Sequence, residues 1–264
     1  MLKLRNVHKT FDIGSINEKA ALCGIDLQLA EGDFVTVIGS NGAGKSTMLN
    51  AIAGVWPVDE GSISINGTDV TALPEYKRAQ YIGRVFQNPM TGTAASMGIE
   101  ENLALALRRG DRRTLRWYIT KTEREHYYTE LKKLGLGLED RLTDKVGLLS
   151  GGQRQALTLL MATLKKPKLL LLDEHAAALD PATATTVLDL TNNIVLENKL
   201  TALMVTHNMT EAIRHGNRLL MMNAGKIILD ISGEEKKRLQ ITDLLERFKE
   251  LSGVQMETDS VLLS

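Results

Sequence analysis

The chain has 264 residues, and its 32 Lys and Arg balance 32 Asp and Glu to a formal net charge of zero at pH 7. That balance argues against nucleic acid as the main partner, because such binding rests largely on basic side chains neutralising phosphates. The length suits one large domain or a domain with an embedded subdomain, with enough buried surface to need no disulfides, and the single Cys23 points to a reducing compartment.

Taken in chain order, the N-terminal MLKLRNVHKTF has no long apolar run behind its basic residues, so no secretory signal is expected. No apolar run approaches the ~20 residues of a membrane helix. Leu2 and Leu4, then Ile25, Leu27 and Leu29, then Ile63 and Ile65 before the turn Asn66-Gly67, repeat at a spacing of two. That period predicts half-buried strands of a mostly antiparallel sheet. Phe34-Val35-Thr36-Val37-Ile38 is instead a short apolar run, the pattern of a strand buried on both faces. A glycine-rich loop follows. In the next stretch, KSTMLNAIAG, Met48, Leu49, Ile52 and Ala53 share a helical face that Gly54 and Pro57 terminate.

Residues 89–164 read as helical: IEENLALALRR, EREHYYTELKKLG and QRQALTLLMATL are amphipathic, and no buried strand interrupts them. An α/β core resumes at LLLLD, 169–173. Asp180 is the expected N-cap and Pro181 the first residue of a helix of about four turns. TALMVT, 201–206, is a buried strand, and NRLLMMNAGKIILD, 217–230, a hairpin-like pair. KKRLQITDLLERFKEL, 236–251, reads as one charged amphipathic helix with Leu239, Leu244, Leu245, Phe248 and Leu251 at helical spacing. The expected division is a core of 1–88 and 165–233, a helical subdomain of 89–164, and a C-terminal helix and tail of 234–264.

The stretch GSNGAGKST carries the first chemistry. Gly39, four residues (Ser40, Asn41, Gly42, Ala43) and then Gly44-Lys45-Ser46 match the Walker A pattern, between a strand and a helix as that pattern requires. Glycines let successive N–H groups turn inward as an anion cradle, and the helix start adds its positive dipole end. Lys45 is expected to reach the β- and γ-phosphates, Ser46 Oγ to ligate Mg²⁺, and Thr47 to lie near the α-phosphate. Such a loop alone says only nucleotide. Asn198-Lys199-Leu200-Thr201 imitates a guanine-reading Asn-Lys-x-Asp, but its last position is threonine, so adenine is favoured. LLLLDE, 169–174, resembles Walker B. Asp173 is expected to hold Mg²⁺ through water and Glu174 to polarise an attacking water. Adjacent acids also fit an exposed loop entry, but four leucines directly before them favour a site.

LSGGQ, 149–153, decides the family. Ser150 and the bare amides of Gly151 and Gly152 precede a helix that Gln153 enters, which is the logic of a second anion site. With the motifs above, the chain resembles ATPases of the ABC type from about residue 2 to residue 230. The resemblance implies an α/β fold: a P-loop NTPase core with a mixed, largely parallel sheet, an N-terminal antiparallel β subdomain and an inserted helical subdomain. It implies ATP and Mg²⁺ as cofactors. It also implies a head-to-tail dimer of two copies, in which Ser150, Gly151, Gly152 and Gln153 of one complete the ATP site of the other. Gln87 after YIGRVF matches the Q-loop residue that meets Mg²⁺ and signals to a permease. Asp180 in AALD matches the D-loop, and His207 after TALMVT the switch histidine at the γ-phosphate. Phe11 matches the aromatic that stacks on adenine, although a core role fits it equally. His8, His126, His175 and His215 read as surface or packed residues. One departure stands out: His175-Ala176 follows Glu174 where the family commonly has Pro-Thr, leaving Asp173 and Glu174 intact.

By the same resemblance, ATP-driven dimer closure powers transport through a separate integral membrane permease, with the chain peripheral on the cytoplasmic side of the plasma membrane. The loop after Gln87, NPMTGTAASMGIEENLALAL, would receive the permease. The pattern resembles importers of small polar solutes such as amino acids, fed by an extracellular solute-binding protein. An exporter subunit is the nearer alternative. A soluble ABC ATPase acting on ribosomes or DNA is the remoter one, lacking a second cassette, a coiled-coil insertion or strong basic arms. The basic stretch RRGDRRTLRWYIT, 108–120, with an interleaved tryptophan and tyrosine, reads as a solvated helical face, with contact to nucleic acid, lipid headgroups or the permease as the alternative.

Overall fold

The computed structural model describes residues 1–111 and 119–252. The chain forms two compact units, residues 79–198 and the described residues of 1–78 with 199–264. The first unit opens with strands β1 (Leu2–Phe11), β2 (Lys19–Leu29) and β3 (Phe34–Gly39), helix α1 (Lys45–Ala53), strands β4 (Glu60–Ile65) and β5 (Thr68–Asp69), and the short helix α2 (Glu75–Arg78). The second unit holds β6 (Ile82–Val85), α3 (Ile99–Leu107), α4 (Lys121–Lys132), α5 (Gly151–Thr163), β7 (Leu169–Asp173) and α6 (Pro181–Glu197). The chain then returns to the first unit with β8 (Thr201–Val205), α7 (Met209–Arg214), β9 (Arg218–Asn223), β10 (Lys226–Ser232), α8 (Gly233–Arg238) and α9 (Ile241–Ser252).

Two sheets build the first unit. In the antiparallel one, β2, β1, β4 and β5 are neighbours in that order. Leu2 pairs with Leu29 and Ile65, and Leu4 with Leu27 and Ile63, so the period-two leucines form one buried face. The ladder shifts register between Leu4 and Val7, with Asn6 at φ 46, which returns Val7 to the buried face after three residues instead of two. In the other sheet β3 runs parallel to both β8 and β9, and β10 pairs antiparallel with β9. All six residues of β3 are buried, as its unalternating sequence predicts. Its one polar side chain, Thr36, donates to Ala212 O at 2.9 Å.

The second unit centres on Ile99 and Leu103 of α3, Tyr127 and Leu131 of α4, and Leu157 and Leu160 of α5. Helix α4 buries only Tyr127 and Leu131, one turn apart, and its polar remainder faces outward. Strands β6 and β7 pair in parallel, Ile82 opposite Leu169 through Val85 opposite Leu172. By compactness the chain divides at 78/79 and 198/199. Helix α5 contacts both β6 and α6, and this keeps those elements with the helical segment. Of the basic stretch 108–120, Arg108 pairs with Glu123 at 2.9 Å and Arg109 donates to Ala162 O at 3.3 Å, and both are half-buried. Residues 112–118 of that stretch lie outside the described residues, as does the tail from 253.

The single helix expected over 236–251 is two. Leu239 adopts extended backbone (φ −66, ψ 132) and ends α8, and the Asp243 carboxylate accepts from Gln240 N at 3.0 Å to start α9. The break turns Leu239, Leu244 and Phe248 into one cluster with Ile38, Met209 and Met221. Leu251, read as part of the stripe, is exposed. Lys236 of α8 is 3 % exposed and donates to the carbonyls of His215 and Gly216, just past the end of α7. Burial pushes its ammonium from 10.5 down to about 8. Between those values the unfolded chain holds a proton that the folded chain has released, so this group's contribution to stability rises with pH across that window. Lys236→Met withdraws both donated bonds and is expected to cost about 1–3 kcal/mol in denaturant melts. The gap between the wild-type and variant melting midpoints should widen from pH 8 upward.

Candidate nucleotide site

The first unit supplies a phosphate loop. At the tip of β3, Gly39 has φ 153, and a Cβ there would lie 2.2 Å from Met222 O. Gly44, φ 101, would place one 2.5 Å from Ala21 O. Both positions are pinned against neighbouring backbone, so only glycine fits. The loop closes through Ala43 N donating to Ser40 O at 3.1 Å and Gly225 N donating to Ala43 O at 3.0 Å. Asn41, Gly42 and Ser46 are exposed, and Thr47 is half-buried. Helix α1 begins without a side-chain cap and without an acidic residue in its first turn. A helix start of that kind, with its positive dipole end, suits an external anion. Lys45, 6 % exposed, donates to Gly39 O at 2.7 Å and Ser40 O at 3.1 Å, which holds its ammonium within the loop.

Two more expected residues belong to the same unit. Val37 of β3 pairs with Val205 of β8 in parallel register. Gly39 and His207, each two residues on, therefore emerge at the same carboxyl end of the sheet, where α/β folds bind ligands. His207 is half-buried. It sits between Thr206, whose hydroxyl donates to the Glu211 carboxylate at 2.7 Å, and Asn208, which caps α7 by accepting from Glu211 N at 3.1 Å. Phe11 ends β1 half-buried, its ring 4.8 Å from that of Trp56 in an edge-to-face pair, with Lys9 Nζ 5.6 Å from its centroid.

The second unit brings together Gln87 and Glu174. Gln87 Nε2 donates to Glu174 Oε2 at 3.2 Å. Asp173 ends β7, and Arg84 of β6 lies 3.5 Å from its Oδ2 while its guanidinium stacks 4.6 Å over Phe86. Ser150 is the N-cap of α5: its Oγ accepts from Gln153 N, and Gln153 Oε1 accepts from Ser150 N, both at 3.2 Å. That leaves the Ser150 hydroxyl proton able to donate outward. Gly151 is exposed. Gly152 is buried, and a Cβ there would fall 2.1 Å from Thr183 Cγ2 of α6. Asp180 caps α6 by accepting from Thr183 N at 3.1 Å, and hydrogen bonding from Thr183 holds its carboxyl below the usual range.

Among the described residues no cluster of three His, Cys, Asp or Glu could hold a metal by itself. The hydroxyl of Ser46 in the first unit and, separately, the carboxylate of Asp173 and the amide oxygen of Gln87 in the second are the oxygen groups the sequence singled out. These hard oxygen ligands suit Mg²⁺, which also takes phosphate and water oxygens. The glycine-lined cradle and uncapped α1 fit a bound polyphosphate.

Residues 22–177 match the ABC transporter family. The chain belongs to that family. A tyrosine transport ATP-binding protein of Clostridioides difficile is 44% identical over 251 residues, 94% of this chain and 99% of the relative. A methionine import ATP-binding protein of Enterococcus faecalis is 34% identical over 98% of this chain and 71% of its own length. Among solved structures, a dimeric ATP-binding cassette in a post-hydrolysis state with ADP and phosphate has a TM-score of 0.75 at 30% identity, covering 88% of this chain and 98% of the other. The ABC transporter ATPase fold expected from the sequence is thus borne out. The chain is an ATPase that uses ATP with Mg²⁺.

In this ABC ATPase Arg84, Lys19 and Trp56 also stand beside the motif residues, without being singled out in the sequence. Arg84 had a signal, a charge inside the apolar run YIGRVF. Lys19 Nζ stands 3.2 Å from where a Cβ on Gly42 would be, a second ammonium over the phosphate loop. His175, expected to be a surface or packed residue, is packed at 2 % exposure against a partner not legible in the sequence. Gly44→Ala should clash with Ala21 O and strain the loop. Its affinity for ATP in calorimetry is expected to fall by about tenfold or more, against an unchanged far-UV spectrum.

Proposed function

We propose that this chain powers the uptake of an amino acid or a similar small polar solute through a separate membrane permease. The observation that carries the reading is the 44% identity to a tyrosine transport ATP-binding protein across 94% of the chain, supported by the methionine import relative. Among the described residues no helix is long and apolar enough to cross a membrane, so the solute path belongs to a partner. The chain then works at the cytoplasmic side of the plasma membrane, on a permease supplied by an extracellular solute-binding protein.

Two copies pair head to tail. The backbone amides of residues 39–44, the start of α1 and Lys45 hold the phosphates, and Phe11 packs on the adenine. Ser150, Gly151, Gly152 and Gln153 of the second copy donate to the same nucleotide from the other side. Contacts with both copies exist only when the dimer is closed, and that difference in binding drives closure. When bound, Mg²⁺ held by Ser46, Gln87 and Asp173 neutralises phosphate charge. Glu174 orients a water in line with the γ-phosphate and takes its proton. Lys45, His207 and Ser150 stabilise the charge that develops. Asp180 lies toward the opposite copy, and Gln87 carries the state of the site to the permease.

Glu174→Gln preserves the binding contacts and removes the base, so it should form a stable dimer in gel filtration with ATP and Mg²⁺, and a monomer under those conditions would contradict the scheme. The solute reading is tested by reconstituting the chain with its permease and binding protein in proteoliposomes. ATP-dependent accumulation of labelled tyrosine or methionine is expected. Accumulation of neither would overturn the amino-acid assignment.

A further inference from the structure

His175 follows Glu174 directly and is 2 % exposed. Its Nε2 lies 2.9 Å from Thr191 Oγ1 in the middle of α6. The Thr191 hydroxyl has a single proton and donates it to Val187 O at 2.8 Å, one turn back in the helix. The imidazole must therefore be the donor in the pair, which fixes a proton on Nε2. A neutral ring in that tautomer makes the bond as an imidazolium does, so the contact does not depend on His175 being charged.

Glu174 meanwhile sits at φ 44, a left-handed conformation that a non-glycine residue keeps only when its surroundings impose it. The turn after β7 is closed by Ala177 N donating to Glu174 O at 3.0 Å and Leu179 N donating to Ala176 O at 3.1 Å. Both of those bonds stay inside the turn. The His175–Thr191 bond leaves it and reaches α6 about three turns beyond the Asp180 cap. It is buried, where a lost partner costs most.

We propose that His175 is a positioning residue for Glu174: its bond to Thr191 ties the turn after β7 to α6, and so fixes the carboxylate that Gln87 meets at 3.2 Å. This deepens the proposed function and rests on Glu174 being the hydrolytic carboxylate. The anchor acts on the chemical step and leaves phosphate binding by residues 39–47 alone. It therefore predicts a loss confined to turnover.

The test is steady-state ATP hydrolysis by the full chain, with calorimetric affinity for a non-hydrolysable ATP analogue measured beside it. Thr191→Val deletes the acceptor at nearly constant volume, and His175→Ala deletes the donor. Each is expected to lower kcat by about tenfold while KM and analogue affinity stay within about twofold. The double variant should be no worse than either single, since both remove one bond. His175→Gln, whose amide nitrogen stands close to the place of Nε2, should recover most of the turnover. Unchanged kcat in Thr191→Val, or affinity falling in step with kcat, or losses that multiply in the double variant, would overturn the proposal. Glu174→Gln serves as the control. If it hydrolyses ATP at the wild-type rate, the assignment of Glu174 fails and the anchor with it. If it is inactive while Thr191→Val is fully active, the anchor alone fails.

Discussion

Helix α1 starts without a side-chain cap. Elsewhere in the chain Thr120, Ser150, Asp180 and Asn208 each close a helix start with a side-chain oxygen. At α1 the cap position is Gly44, whose φ of 101 and crowding by Ala21 O leave no room for a side chain that could do the same. With no side chain capping it, this start suits an anion, and a phosphate is a group whose charge and oxygen geometry match. Strand β3 and its buried neighbours exist in service of that start: they hold Gly39 against Met222 O and bring His207 to the same edge.

The capped helices tell the complementary half. Ser150 and Gln153 satisfy one another across the first turn of α5, yet the serine oxygen accepts in that exchange and keeps its own hydrogen. A capping residue can thus stabilise its helix and still present a donor to a ligand. Asp180 uses its carboxylate more completely, since the Thr183 side chain and then its backbone amide hold it and lower its proton affinity. Three of the motif residues, Gly44, Ser150 and Asp180, are helix caps that differ in how much of their hydrogen-bonding capacity the helix uses.

Much of this was legible in the sequence because it is local. The period-two leucines of β1 and β2, the unbroken apolar run of β3, the Asp-Pro start of α6 and the glycine spacing of the phosphate loop each state a conformation within a few residues. What escaped reading depends on distant pairs or on one residue's backbone. The bulge at Asn6 has no compositional mark. The break at Leu239 is set by a shared core with Ile38 of β3 and Met221 of β9, both on strands upstream in the chain. Arg84 beside Asp173, and His175 beside Thr191, become pairs only once β6 lies on β7 and α6 folds back on the turn.

Gly152 leads to one more conclusion. Thr183 fills the space where its side chain would be, and Leu179 closes to 3.2 Å of the Cβ position at Gly151. The beginnings of α5 and α6 interlock at a distance that admits no slack, so neither can pivot without the other. Two stretches that look like separate words in the sequence, one around Ser150 and one around Asp180, are mechanically a single wedge, and whatever tilts the first delivers the second to a new address.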